Sequence, residues 1–293
     1  MEFLKDVNLS KKRLILGKSV GIIGGGNAAV DAARAAVRIK GCEKVLIIYR
    51  RTRAQMPAFK EEVDAALEEG IEVQFLRAPT KIITENGKVT GVGCIKMELA
   101  EADESGRRRP VPIGGTEFVI NLDTLIVAIG EEPDLCFLGE GEPIEVSKRN
   151  RIVVCPETLA TNVDGVFAGG DVVTGPNTVI DAMSSGKIAA GMIDKYIRRE
   201  SLVKEYKLTR PSVYVLPVEL TEQEIESAQR PRIPCLPVNK RINSFGEVEL
   251  NMTEEMAIKE ARRCLRCDLE TEDGKKAIEA LEHKQAEGKS NNG

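Results

Sequence analysis

Gly24-Gly25-Gly26-Asn27-Ala28-Ala29 follows the apolar run Val20 to Ile23, and this spacing brings backbone N–H groups against a phosphate. Gly24 permits a tight bend, Gly26 lets backbone amides approach the anion, and Ala29 allows the next helix to pack closely on the strand. The anion then lies at a helix N-terminus, where free N–H groups and the helix dipole favour negative charge. The next apolar run, Val45 to Tyr49, ends in Arg50 and Arg51. An acidic residue at that place would bond a ribose 2′-hydroxyl, whereas an arginine can pair bidentately with a 2′-phosphate. The two residues therefore favour NADP(H). The competing readings are a solvated basic strand end helped by Arg53 and an NAD(H) site that tolerates arginine.

A second constellation runs from Thr161 to Ile197. A short apolar stretch, Gly165 to Ala168, leads through Gly169 and Gly170 to Asp171, and a helix is expected to start near Asn177 or Thr178 with small residues on one face. An acid at such a strand end can accept hydrogen bonds from sugar-alcohol hydroxyls, and the helix N-terminus can face a group that becomes anionic. A flavin requires both.

Cys264-Leu265-Arg266-Cys267 is the one C-x-x-C of the chain, and two thiolates at this spacing can reach one metal ion or iron–sulfur cluster. Two ligands are half a site, so a cluster needs further ligands from a partner; a redox dithiol and unligated thiols are the other readings. Cys42, Cys94, Cys136 and Cys155 stand in apolar surroundings and are expected to be small buried residues. No general acid or base is identified. The single histidine, His283, lies in a polar tail, and no tyrosine has a lysine four residues later.

The elements that must hold these residues follow from periodicity. A strand at Ser19 to Ile23, a helix at Asn27 to Ile39, a turn at Gly41 and a strand at Val45 to Tyr49 make one βαβ unit. A helix at Ala58 to Gly70, a strand at Ile71 to Leu76, hairpin strands around Asn86-Gly87 and Gly106, and an apolar strand at Thr124 to Ile129 complete an α/β domain. After a linker rich in Glu, Pro and Gly, a strand is expected at Ile152 to Val154. From Ser201 the βαβ pattern stops, and Pro211, Pro217, Pro231, Pro234 and Pro237 suggest an extended arm. Thr253 is a predicted N-cap for a helix reaching Cys264, and residues from Lys284 onward are expected to be disordered.

The chain has 293 residues, 42% of them hydrophobic, which is enough for a sizeable core and two domains. A net charge of −4 disfavours a nucleic-acid surface, and Arg107-Arg108-Arg109 is read as a solvated turn behind Glu101, Asp103 and Glu104. The seven cysteines fit reduced thiols rather than a disulfide framework. With no long apolar run and no signal-peptide pattern, the chain is expected to be soluble and cytoplasmic.

Further strings carry a resemblance: Tyr49-Arg50-Arg51-Thr52 with Met56-Pro57, Glu61-Glu62-Val63 and Glu69-Gly70; Gly106 to Pro112; Val127-Ala128-Ile129-Gly130; and Ala261 to Asp268. Together with the two constellations above, they resemble the flavin-dependent pyridine-nucleotide oxidoreductases, most closely the small (beta) subunit of glutamate synthase and its relatives. The likeness extends from about Gly17 to Asp268. It implies a Rossmann-like NAD(P)-binding domain with a β-hairpin insertion, residues 17–128, after a linker over 1–16. The C-terminal half of an FAD-binding domain then spans 129–200, and the arm with the Cys264/Cys267 helix spans 201–293.

By the same resemblance, Gly24, Gly25, Gly26, Asn27 and Ala28 hold the NADPH pyrophosphate, Arg50 and Arg51 its 2′-phosphate, and Ala128, Ile129 and Gly130 the nicotinamide side. Gly170, Asp171, Asn177, Thr178 and Val179 face FAD. The resemblance further implies that hydride passes between NADP(H) and FAD and that electrons then move to iron–sulfur centres of a partner subunit. The family's N-terminal FAD-binding βαβ unit and cysteine-rich iron–sulfur region have no counterpart in this sequence, whose opening Met1-Glu2-Phe3-Leu4 resembles the linker just before the NADPH domain. The implied partners are therefore NADPH, a chain or domain that supplies the N-terminal FAD half, and an iron–sulfur electron-transfer subunit. The alternatives are a non-catalytic nucleotide-binding assembly subunit or truncated domain without its own flavin, and an NADH-specific relative.

Overall fold

The computed structural model describes residues 1–9, 14–102, 108–139, 141–204, 214–226 and 228–290. The chain divides into two compact units: Met1–Lys204 with Pro237–Gly246, and Glu205–Leu236 with Glu247–Gly293.

In the first unit, β1 (Ser19–Ile23), β2 (Lys44–Tyr49), β3 (Glu72–Phe75) and β8 (Thr124–Val127) form a parallel sheet in the order β3-β2-β1-β8. Its helices include α1 (Glu2–Leu9), α2 (Asn27–Val37) and α3 (Lys60–Glu68). Between β3 and β8 the chain builds a second, antiparallel sheet from β4 (Arg77–Glu85), β5 (Lys88–Ala102), β6 (Arg108–Pro112) and β7 (Phe118–Asn121). This is the expected Rossmann-like α/β domain with its hairpin insertion. Gly106 and Arg107 lie outside the described residues, and Arg108 and Arg109 are strand rather than turn.

The continuous apolar runs of β1 and β2 are explained by burial on both faces. Val45 and Ile47 join Val20, Ile22, Ala29, Ala33, Val63 and Ala66 in the core under the helices. Their neighbours Leu46 and Ile48 pack on the other side with Val92 and Cys94 of β5 and with Leu122. The stretch expected as a linker over 1–16 contains α1, whose Phe3 and Leu4 pack against the helical core.

Residues 129–204 carry little regular strand. Ile152 to Val154 and Gly165 to Ala168 were expected as strands, but pairing is limited to the isolated bridges Val146–Ile152 and Ala160–Phe167. The left-handed backbone at Leu159 (φ 59°) and Gly165 (φ 75°) turns the chain out of a ladder after one bridge. The helices here are α4 (Asp171–Thr174) and α5 (Val179–Ile197). α6 (Glu222–Glu226) belongs to the second unit, and α7 (Val238–Arg241) returns to the first.

The second unit also holds α8 (Glu254–Ala261) and α9 (Glu272–Ser290). Thr253 caps α8 as expected, its Oγ1 accepting the Met256 N–H at 3.2 Å. Residues 284–290, within the tail expected to be disordered, are described as the last part of α9. Residues 205–213, including Pro211, and 291–293 lie outside the description. Among the described residues, no helix is long and apolar enough to cross a membrane.

Candidate nucleotide and flavin site

The candidate nucleotide residues meet at the carboxyl ends of β1, β2 and β8, the edge where open α/β sheets place their ligands. Gly24 has φ +145°, and a Cβ on it would stand 2.1 Å from the Ala128 carbonyl oxygen. The turn therefore closes directly on the end of β8. The Ala128 N–H donates to the Ile23 carbonyl at 2.8 Å, and the Gly24 N–H to the Ile48 carbonyl at 3.1 Å. Gly25 lies against the Tyr49 ring, which a Cβ would meet at 2.4 Å.

Gly26 is different. A Cβ there would meet nothing within 4 Å, so the turn faces open space at the N-cap of α2. Ala29 and Val30 make the first helical bonds, to the Gly26 carbonyl at 3.0 and 3.3 Å, which leaves the Asn27 and Ala28 N–H groups ahead of the ladder. No side chain caps this end of α2. That is the environment an anion would complete.

Arg50 is exposed, whereas Arg51 is half-buried and its Nε is buried without a hydrogen-bond partner. The Arg51 carbonyl accepts the Leu76 N–H at 3.1 Å, fixing the backbone at the strand end. Arg53, in the 3₁₀ turn Arg53–Gln55, donates from Nη2 to Asp64 at 2.7 Å, while its Nη1 is buried and unpartnered. Past β8, Ile129 is 72% exposed and Gly130 takes φ +121°, so the chain leaves the sheet edge uncovered there.

Sequence reasoning missed the loop that follows the arginines. The Ala58 N–H donates to the Gly25 carbonyl at 3.1 Å, and the Phe59 N–H to Asn27 Oδ1 at 2.9 Å. The loop is thus latched onto the glycine turn. The Met56-Pro57 string marks its place in the sequence but carries no signal of its partner.

In the candidate flavin segment, Gly170 (φ +73°) precedes Asp171, the first residue of α4, and Thr174 Oγ1 donates back to the Gly170 carbonyl at 3.2 Å. Thr178 is the N-cap of α5: its Oγ1 accepts the Asp181 N–H at 3.2 Å, and Asn177 Oδ1 accepts the Thr178 N–H at 2.9 Å. Val179, at the first helical position, is 75% exposed. Along α5 only Met192 is buried, and Ile180, Met183, Ile193 and Ile197 are left uncovered. Arg151, which no motif marked, lies against Gly175 so closely that a Cβ there would be 2.1 Å from its Nη2. The Arg151 Nε is buried and unpartnered.

In the second unit, Cys264 and Cys267 are exposed free thiols. Between them Arg266 takes a left-handed conformation (φ 52°), pairs with Asp268 at 3.0 Å and donates to the Val215 carbonyl at 2.9 Å. Among the described residues, no group of three or more His, Cys, Asp or Glu is placed to hold a metal ion. The two thiols alone do not make a cluster site. The expectation of four buried cysteines is corrected for two of them. Cys94 is buried and Cys42 half-buried, but Cys136 and Cys155 are exposed, because their apolar neighbours sit in irregular segments that leave Phe137 itself 66% exposed.

The family model described as pyridine nucleotide-disulphide oxidoreductase matches residues 2–186. The chain is 43% identical over 273 residues to the NADP(+)-dependent formate dehydrogenase subunit beta of Moorella thermoacetica, covering 91% of this chain and 38% of that protein. It is 35% identical over 294 residues to the NADPH-Fe(3+) oxidoreductase subunit beta of Geobacter sulfurreducens, covering 91% and 44%. The glutamate synthase [NADPH] small chain of Azospirillum brasilense is 39% identical over 186 residues, or 63% of this chain and 38% of the relative. The chain thus spans less than half the length of these curated relatives. Among solved structures, thioredoxin reductase of T. acidophilum aligns with a TM-score of 0.50 at 25% identity, over 67% of this chain and 56% of the other. The parallel sheet with its glycine turn, the inserted antiparallel sheet and the match over residues 2–186 place the chain in the FAD-dependent pyridine nucleotide-disulphide oxidoreductase family.

Proposed function

We propose that this chain is the NADP(H)-binding, flavin-facing part of a larger electron-transfer oxidoreductase. The observation that carries the reading is the pairing of an open phosphate turn at Gly26 with the half-buried Arg51, whose Nε has no partner, at the end of the adjacent strand. In this reading Gly24 to Ala28 hold the pyrophosphate through backbone N–H groups, and Arg50 and Arg51 pair with the 2′-phosphate. Ala128, Ile129 and Gly130 line the nicotinamide side, where 72% exposure of Ile129 leaves room for a ring.

The FAD-facing residues are Gly170, Asp171, Asn177, Thr178 and Val179. The N-terminus of α5 is capped by Thr178 and keeps its first N–H groups for a ligand, which suits a group that gains negative charge on reduction. A flavin held there would supply the redox chemistry of hydride transfer. The protein's part is to stack, orient and charge-match the two rings. The rest of the FAD site belongs to another polypeptide segment, in keeping with relatives more than twice as long. Electrons leave to an iron–sulfur partner, with Cys264 and Cys267 as two thiolates that would need ligands from elsewhere.

The test is equilibrium binding of NADPH and NADH to the chain, together with its visible spectrum before and after anaerobic NADPH. Tighter binding of NADPH, lost in Arg51→Ala while NADH is spared, supports the assignment. Equal loss for both nucleotides overturns the 2′-phosphate role. A chain that binds neither nucleotide overturns the function.

A further inference from the structure

The arginine loop and the phosphate turn are one mechanical unit. From Arg51 the chain makes a tight turn, with Gln55 N–H bonded to the Thr52 carbonyl and Met56 N–H to the Arg53 carbonyl, each at 3.1 Å. Tyr49 Oη donates to the Gln55 carbonyl at 2.6 Å, so the ring that packs on Gly25 also pins the far side of this turn. The loop then closes on the glycine turn at two points. One is main chain to main chain, from Ala58 to Gly25; the other runs from the Phe59 N–H to the side chain of Asn27.

The second latch is the one that a side chain controls. A backbone N–H can only donate, so the amide atom facing Phe59 must be Oδ1, which fixes the orientation of Asn27 and leaves its Nδ2 as a pair of donors at the N-terminus of α2. The same loop carries two buried guanidinium nitrogens without partners, Arg51 Nε and Arg53 Nη1. Buried donors of this kind are normally satisfied, so these two remain available to a ligand that approaches the loop. A loop that positions such donors must itself be held.

We propose that Asn27 is a specificity-positioning residue: by holding the Phe59 N–H, it keeps the arginine loop closed against the phosphate turn and so favours the 2′-phosphorylated nucleotide. This rests on the nucleotide-binding reading above. Asn27 contributes its backbone N–H to either nucleotide, but its side chain acts through the loop and therefore discriminates between them.

The experiment measures Kd for NADPH and NADH in Asn27→Ala and in Phe59→Pro, the latter referred to Phe59→Ala, which retains the N–H. Phe59 has φ −56°, which proline adopts without strain, so Phe59→Pro removes the donor from the other end of the same bond. Loss of one hydrogen bond predicts a fall in the NADPH-over-NADH affinity ratio of about five- to tenfold in each variant. The two changes combined should lower the ratio no further than either alone, because both cut one contact. A ratio left unchanged by Asn27→Ala, or effects that add in full, would overturn the proposal. If the unsubstituted chain binds neither nucleotide, the nucleotide reading falls, and this inference with it.

Discussion

Arg241 reaches back from the C-terminal third of the chain to Glu69, with Nε 3.3 Å from Oε1, and its Nη2 lies 2.6 Å from Oε2 of Glu68. Glu69 closes α3, and its side chain is fully buried. Arg34 and Arg38 of the α2 segment bond the same carboxylate, at 2.9 Å from Arg34 Nη2 and 2.8 Å from Arg38 Nη1, and Arg34 also pairs with Glu62. One buried anion thus ties together the helix that carries the phosphate turn, the helix after the arginine loop, and the returning segment Pro237–Gly246.

Removing that anion should therefore be far more damaging than removing any one cation. Glu69→Gln leaves three arginines, two of them nearly buried, without their shared charge, a loss of about 3–5 kcal/mol. Arg241→Met leaves Glu69 paired with Arg34 and Arg38, so about 1–2 kcal/mol is expected, with faster proteolysis within 237–246. Urea unfolding of the two variants checks the order. A Glu69→Gln protein as stable as the parent would mean that the cluster does not hold these elements together.

The same cluster sets an acid limit. Burial pushes the Glu69 carboxyl up, but hydrogen bonds and charge from Arg38 and Arg34 outweigh it and hold the group below its ordinary range. A carboxyl depressed in the folded state stabilises the fold fully above its unfolded value, about 4.3, and this contribution is lost as pH falls through the folded value. Urea midpoints should thus decline below about pH 5, and the decline should be smaller in Glu69→Gln. Parallel pH profiles for the two proteins would remove Glu69 as the cause.

Gly24 and Gly26 separate folding from binding. Gly24→Ala places a methyl 2.1 Å from the Ala128 carbonyl oxygen at φ +145°, and should cost about 3 kcal/mol or more. Gly26→Ala meets no atom of the protein, and its φ of −87° and ψ of 174° suit alanine. Its Tm should stay within a degree or two of the parent while NADPH binding weakens about tenfold or more. Unchanged affinity in Gly26→Ala would show that the phosphate does not approach this turn.

What was legible in the sequence was whatever repeats locally. β1 and β2 announce themselves because both faces of the sheet are covered, and the glycine turn because its backbone needs are met by few residue types. The partners of Asn27 and Glu69 were not legible, since Phe59 and Arg241 reach them from distant positions with no spacing rule to link them. The ends of the short segments at Ile152 and Gly165 failed for a related reason: apolar runs mark strands only where a neighbour exists to pair with.

Cys136 and Cys155 were read alike from sequence and are both exposed, yet their surroundings oppose each other. The Thr158 hydroxyl and the backbone N–H groups of Thr158 and Glu157 donate to the Cys155 thiol and lower its pKa. Hydrogen bonding to the Asp134 carboxylate, and its charge, raise that of Cys136. The thiolate is the reactive form, so iodoacetamide at neutral pH should label Cys155 well before Cys136, with buried Cys94 protected until unfolding. Raising the pH ionises both exposed thiols and should close the gap. Site-resolved mass spectrometry reads the order directly; equal rates at neutral pH would mean that exposure alone governs these two cysteines.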